Sequence, residues 1–161
     1  MGILRKNGNL ASDVKLLLNK MNSTAQKVRL GDLLEDQKGC ARGEYDFSVS
    51  GGAAGAISLL NEDGEAVKLP DNAIITNAFI DVITQPTSSG TPTVSVGAVA
   101  ADDLLGATAL ASFTGLIDGV PDNTAANMIK LSAEQTLDMT ITGPDLTAGK
   151  FFVLVDYVVT E

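Results

Sequence analysis

From Glu44 onward, apolar side chains recur mostly at every second position, and the links between these stretches are short and rich in Gly, Pro and Asp. Together these features exclude a parallel α/β fold, in which strands must be joined by crossovers of about a dozen residues or more, usually helical. The strongest stretch runs from Lys68 to Val99. Within it, Ala73 to Thr84 holds Ile74, Ile75, Phe79, Ile80, Val82 and Ile83, the composition of a pleated, largely buried strand. Pro70-Asp71-Asn72 turns the chain into that strand. Gln85 to Pro92, with two prolines and no apolar anchor, reads as an exposed loop. Thr93 to Val99 then alternates, with Val94, Val96 and Ala98 on one face and Thr93, Ser95 and Gly97 on a wet one.

The same period marks the other strands. Tyr45, Phe47 and Val49 alternate with polar residues, and the small residues Gly51 to Gly55 break the run before Ala56 to Leu60. Asn61 to Glu65 reads as a hairpin turn leading into Ala66 to Leu69. A strand is expected near Ala109 to Phe113, although Ala107 to Ala111 could equally begin a helical turn; an irregular excursion follows over Gly115 to Pro121, with further strands at Met128 to Leu131 and Leu137 to Thr142. Lys150 to Val159 is apolar at nearly every position, so it must be central or covered on both faces. About eight strands joined by turns predict an all-β fold, an antiparallel, jelly-roll-like β-sandwich over residues 44 to 161.

Residues 1 to 43 are of another kind. Ser12 is a candidate N-cap followed by Asp13, and Val14, Leu17, Leu18 and Met21 fall on one stripe, predicting a short helix over about residues 12 to 22. A helix of that length is marginal in water and needs a covering surface. Lys27 to Leu34 offers a second set of anchors in Val28, Leu30, Leu33 and Leu34, with Lys27 and Arg29 among them. Charge divides along the same line. Met1 to Arg42 holds eight Lys or Arg against four acids, +4, whereas the remainder holds three against sixteen, −13, which together make the net −9. The chain thus reads as a basic arm on an acidic β domain.

Several chemistries are disfavoured by what the 161 residues contain. With no histidine there is no Ser-His or Cys-His pair and no imidazole metal ligand. Cys40 is the only cysteine, so no internal disulfide forms, and nothing in the sequence lowers its pKa to make it a nucleophile. Gly51 to Gly55 lacks the Lys-Ser or Lys-Thr of a phosphate loop and leads into a strand instead of a helix. Asn61, Asp63 and Glu65 have the spacing of a calcium loop but no closing carboxylate, so a plain turn is expected. Asp102-Asp103 could in principle serve as acid and base; adjacent loop carboxylates are a weak signal for that. No enzyme activity and no cofactor or metal are expected. The arm lacks stacking aromatics and the body is acidic, so nucleic acid is not the expected partner, and no run in the N-terminal stretch is long enough for a signal peptide or membrane span.

Two stretches carry a resemblance to known proteins. LPDNAIITNAFIDVIT, at Leu69 to Thr84, and LTAGKFFVLVDYV, at Leu146 to Val158, are similar to motifs of tailed-bacteriophage capsid decoration proteins, also called cement or head auxiliary proteins. The stretches Thr93 to Ala98, Asp102 to Leu105 and Ile129 to Leu131 follow in the same order, so the resemblance covers roughly Ala54 to Val158. It implies a jelly-roll-like domain made in the host cytoplasm and bound to the outer surface of the phage head, stabilising the shell by bridging neighbouring capsomers. It also implies two partners: the major capsid protein, and further copies of the chain itself, as a homotrimer in preference to a dimer. In that setting Val14, Leu17, Leu18, Met21, Lys27, Val28, Arg29, Leu30, Leu33 and Leu34 would be the capsid contacts. An alternative in the same fold is a receptor- or carbohydrate-binding module of a head fibre or tail.

Overall fold

A computed structural model describes residues 38 to 160. They form eleven strands: β1 (Lys38–Asp46), β2 (Gly55–Ser58), β3 (Lys68–Leu69), β4 (Ala73–Ser88), β5 (Thr93–Gly97), β6 (Leu105–Ala109), β7 (Gly115–Asp122), β8 (Ile129–Lys130), β9 (Gln135–Thr136), β10 (Asp138–Thr142) and β11 (Leu146–Val159). One helical turn, α1 (Phe47–Ser50), follows β1. The first sheet has the order β1-β11-β4-β7, with β8 beside the start of β4; the second has the order β2-β10-β5-β6, and β3 pairs with β9. Every named pairing is antiparallel.

Setting aside the two-residue strands β3, β8 and β9, the remaining eight pair first with last: β1 with β11, β2 with β10, β4 with β7, and β5 with β6. This is the pairing of one long hairpin rolled up on itself. Rolling brings β4 against β11 and β5 against β10, closing the two four-strand sheets of a jelly roll. The fold expected from the sequence is therefore the fold observed.

Alternation along each strand places one side chain in two between the sheets. Tyr45, Ile75, Ala78, Ile80, Phe151, Val153 and Val155 enter from the first sheet, and Val94, Val96, Met139 and Ile141 from the second, to make one core. Phe151 sits at its aromatic centre, 5.1 Å from the ring of Tyr45 and 4.9 Å, edge on, from that of Phe113. The Tyr45 hydroxyl donates to the carbonyl of Gly51 at 2.8 Å, so its one polar atom is satisfied. Burial pushes the Tyr45 pKa up to about 12.

Five local expectations give way. The strand expected near Ala109 to Phe113 is not formed: β6 ends at Ala109 and Leu110–Ser112 makes a 3₁₀ turn, closed by the Phe113 amide donating to the Leu110 carbonyl at 3.1 Å. The β domain was expected to start at Glu44, but β1 begins at Lys38, because the long closing strand offers partners as far as Val158. Phe47 and Val49 are not strand residues: Asp46 accepts from the Ser48 amide at 2.9 Å and its hydroxyl at 2.6 Å, capping α1 and leaving Val49 exposed. β4 does not stop at Thr84 but runs through Pro86 to Ser88. A proline is tolerated there because the register slips between Ala148 and Lys150, where Gly149 has φ +141° and a Cβ would lie 2.9 Å from Pro86 Cα. Finally, Gly115 to Pro121 belongs to a strand, β7, paired with β4 through Val82, Asp81, Ile80 and Phe79.

β11 is central, as its composition requires, with β1 on one side and β4 on the other. Its alternate residues have different tasks. Phe151→Ala should destabilise the domain by about 3–5 kcal/mol, whereas Phe152→Ala, on the opposite face, should cost about 1 kcal/mol; urea unfolding of the two variants checks the contrast.

Candidate interaction surfaces

The ten arm residues singled out from the sequence, Val14, Leu17, Leu18, Met21, Lys27, Val28, Arg29, Leu30, Leu33 and Leu34, lie outside the described residues. Within the described residues, the acids that sequence patterns could assign to chemistry act on the backbone. Asp103 accepts from the amides of Ala98, Val99 and Ala100 at 2.8, 3.0 and 2.9 Å. Three N–H donors on one carboxylate tie the β5–β6 loop into a closed turn. Asp102, its neighbour, is exposed and takes no part. The loop folds back so closely that a Cβ on Gly97 would overlap the carbonyl of Ala100. That overlay, together with the flanking strands β10 and β6, corrects a further expectation: Ser95 and Gly97, placed on a wet face by alternation, are buried.

Asn61 is likewise used up in the turn it begins, its carbonyl oxygen accepting from the amides of Asp63 at 3.0 Å and Glu65 at 2.9 Å. Nearby, Glu62 pairs with Arg42 at 2.7 Å. Cys40 is exposed on β1, and its thiol pKa is raised, first by desolvation and then by Asp156 beside it, which opposes the thiolate a nucleophile needs. No group of three metal-binding side chains occurs among the described residues, and no helix among them is long and apolar enough to cross a membrane.

The two outer faces of the sandwich differ in chemistry. On the second sheet, the outward positions are mostly small and hydroxylic: Ala56 and Ser58 on β2, Thr140 and Thr142 on β10, Thr93 on β5. On the first sheet, they are large or charged. Phe152 and Leu154 on β11 are only half-buried, and the register sets Leu154 beside Phe79 and Phe152 beside Asp81 of β4. One strand further, Phe79 faces Asp118 and Asp81 faces Leu116 of β7. Phe79 and Phe152 thus point outward. Ile83, Leu116 and Val120 add exposure of 55%, 68% and 47%.

Charge on that outer face is arranged by strand. Towards β1, cations and acids balance: Lys150 pairs with Glu44 and, at 2.9 Å, with Asp46, the Arg42 guanidinium lies 4.0 Å over the Phe152 ring, and Lys38 and Asp156 stand on the same face without an ion-pair partner among the described residues. Asp46 is held down to about 2 by the Ser48 hydroxyl first and then by Lys150. Towards β7, Asp81 and Asp118 have no ion-pair partner among the described residues. Alternation gave no sign of this division. It arises from which strands the topology places side by side.

Known structures share this architecture. The chain is similar to one in the acidic stable capsid structure of Helicobacter pylori bacteriophage KHP30, at 14% identity and a TM-score of 0.55 over 78% of this chain and 90% of that one. A chain in the cyanophage Pam1 capsid asymmetric unit matches at 16% identity, TM-score 0.55, over 76% and 85%. One in the capsid of Ralstonia phage GP4 matches at 20% identity, TM-score 0.53, over 76% and 86%. At these identities the likeness is one of fold. No protein-family model matches the chain, and no curated protein matches it in sequence.

Two measurements check the roles given to these acids. Asp103→Ala leaves three amides without their acceptor and should cost about 1–3 kcal/mol in stability, with faster amide exchange at Ala98 to Ala100. Asp46 has a folded pKa of about 2 against an ordinary 3.8, so the stability it contributes is present above pH 3.8 and is lost as the pH falls towards 2. Thermal melts over that window should therefore fall less steeply for Asp46→Asn than for the natural chain.

Proposed function

We propose that this chain is a structural protein of a phage virion that binds the outer surface of the head and stabilises it by bridging neighbouring capsomers. The observation that carries this reading is the jelly roll itself, which chains of three phage capsid structures share over 85–90% of their own length. The match spans nearly the whole of those chains, so it is a likeness between domains of similar size. The role is non-catalytic, in keeping with Asp103 and Asn61 being committed to turns and Cys40 being held towards its thiol form.

The proposed partners are the major capsid protein and other copies of this chain, as a trimer. Many shallow contacts repeated by symmetry bind strongly in sum, because each one made raises the local concentration for the next. In this reading the basic, leucine-rich arm supplies anchors and lies along the major capsid protein or a neighbouring copy, with Val14, Leu17, Leu18, Met21, Val28, Leu30, Leu33 and Leu34 as apolar contacts and Lys27 and Arg29 pairing with acids. The test is co-sedimentation of the full chain with capsids prepared without it. The natural chain should bind and raise the temperature at which capsids open, and Leu17→Asp with Leu30→Asp should reduce binding at least about tenfold. A natural chain that fails to co-sediment overturns the reading.

A further inference from the structure

The half of the first sheet's outer face built by β4 and β7 is not finished as a solvent-facing surface. It presents Phe79, Ile83, Leu116 and Val120 around Asp81 and Asp118, so apolar side chains surround carboxylates with no cation beside them among the described residues. Exposed apolar clusters rimmed by one sign of charge mark contact sites, and the partner they fit is apolar and of the opposite sign. A second copy of the same face is excluded as that partner, because it would bring like charges together.

The matching chemistry is in this chain's own sequence. Between Ser12 and Leu30 stand Lys15, Lys20, Lys27 and Arg29 against the single acid Asp13, interspersed with Val14, Leu17, Leu18, Met21, Val28 and Leu30. Beyond Arg42, by contrast, three lysines are spread over an acidic domain. We propose that the β4–β7 half of the outer face is the docking surface for the basic N-terminal segment, residues 12 to 30, of a second copy of this chain.

The sheet order favours a second copy over the same one. The chain enters the domain at Lys38, the start of edge strand β1, whereas Asp118 and Leu116 lie on β7 at the opposite edge. On the β1 side stand Lys38, Arg42 and Lys150 with Glu44, Asp46 and Asp156, a half of the face on which cations and acids balance. A basic segment doubling back from Lys38 would cross this balanced half first; one arriving from beyond β7 meets Asp118 and Asp81, which have no ion-pair partner among the described residues. Such a contact joins two different surfaces, so it repeats head to tail and closes into a ring when the rotation allows. The proposal rests on the virion reading only for the use of that ring.

The test uses full-length chain and mass photometry across concentration and salt. The natural chain should be a closed oligomer at low salt that dissociates as salt rises. Asp81→Lys with Asp118→Lys should raise the concentration of half-dissociation about tenfold or more. Lys15→Glu with Lys20→Glu, which leaves the β domain untouched, should do the same, and the four substitutions together should restore assembly. A monomeric natural chain, or an oligomer indifferent to both charge reversals, overturns the proposal. Capsid co-sedimentation reads the virion role separately: an oligomer that ignores capsids sinks that role alone, and a monomer that binds them sinks this proposal alone.

Discussion

The pairing of the first strand with the last is the constraint on which the rest of this domain depends. β1 and β11 meet over nine residue pairs, from Lys38 opposite Val158 to Asp46 opposite Lys150. That contact spans nearly the full length of the described chain, so it carries a large loop-closure entropy. Once β11 is seated, its other edge holds β4, and β4 holds β7 and β8. The aromatic centre follows, since Phe151 of β11 can reach Tyr45 of β1 and Phe113 only when these strands lie side by side.

The same pairing divides the molecule into surfaces with different chemistry. Inward residues of β11 fill a core that is almost wholly aliphatic apart from three rings, and outward residues alternate with them one by one. Because Arg42 and Glu44 lie on β1 and Lys150 on β11, cations and acids neutralise each other on that half of the sheet. No cation falls on the outward positions of β4 or β7, so Asp81 and Asp118 stand beside Phe79 and Leu116 without an ion-pair partner among the described residues.

The strands with strict alternation were legible. Leu137, Met139 and Ile141 are inward as their spacing requires, and Lys150 to Val159 is central because hardly any polar residue interrupts it. Where a local signal competed with a distant one, the distant one won. Pro86 looks like the end of a strand, yet a bulge in β4, with Gln85 and Pro86 opposite Gly149 of β11, carries the strand past it. Val49 is a local case: it looks like a strand residue, yet Asp46, three residues earlier, caps the helical turn that contains it. Gly115 to Pro121 has weak β propensity of its own and becomes a strand because β4 offers an unpaired edge.

The sequence by itself determined the fold class, through a period of two interrupted by turns too short for helices, and it determined the split between a basic arm and an acidic body. It also determined that no imidazole chemistry is possible. Only the tertiary structure decided which faces lie outward and what stands next to them. Phe79 and Phe152 carry the same hydrophobic signal as Phe151, and nothing local distinguishes a ring that enters the core from one that faces away. Bulges shift the alternation, and partner strands from far along the chain supply the neighbours, so the surface at β4 and β7 exists only after the hairpin has rolled up.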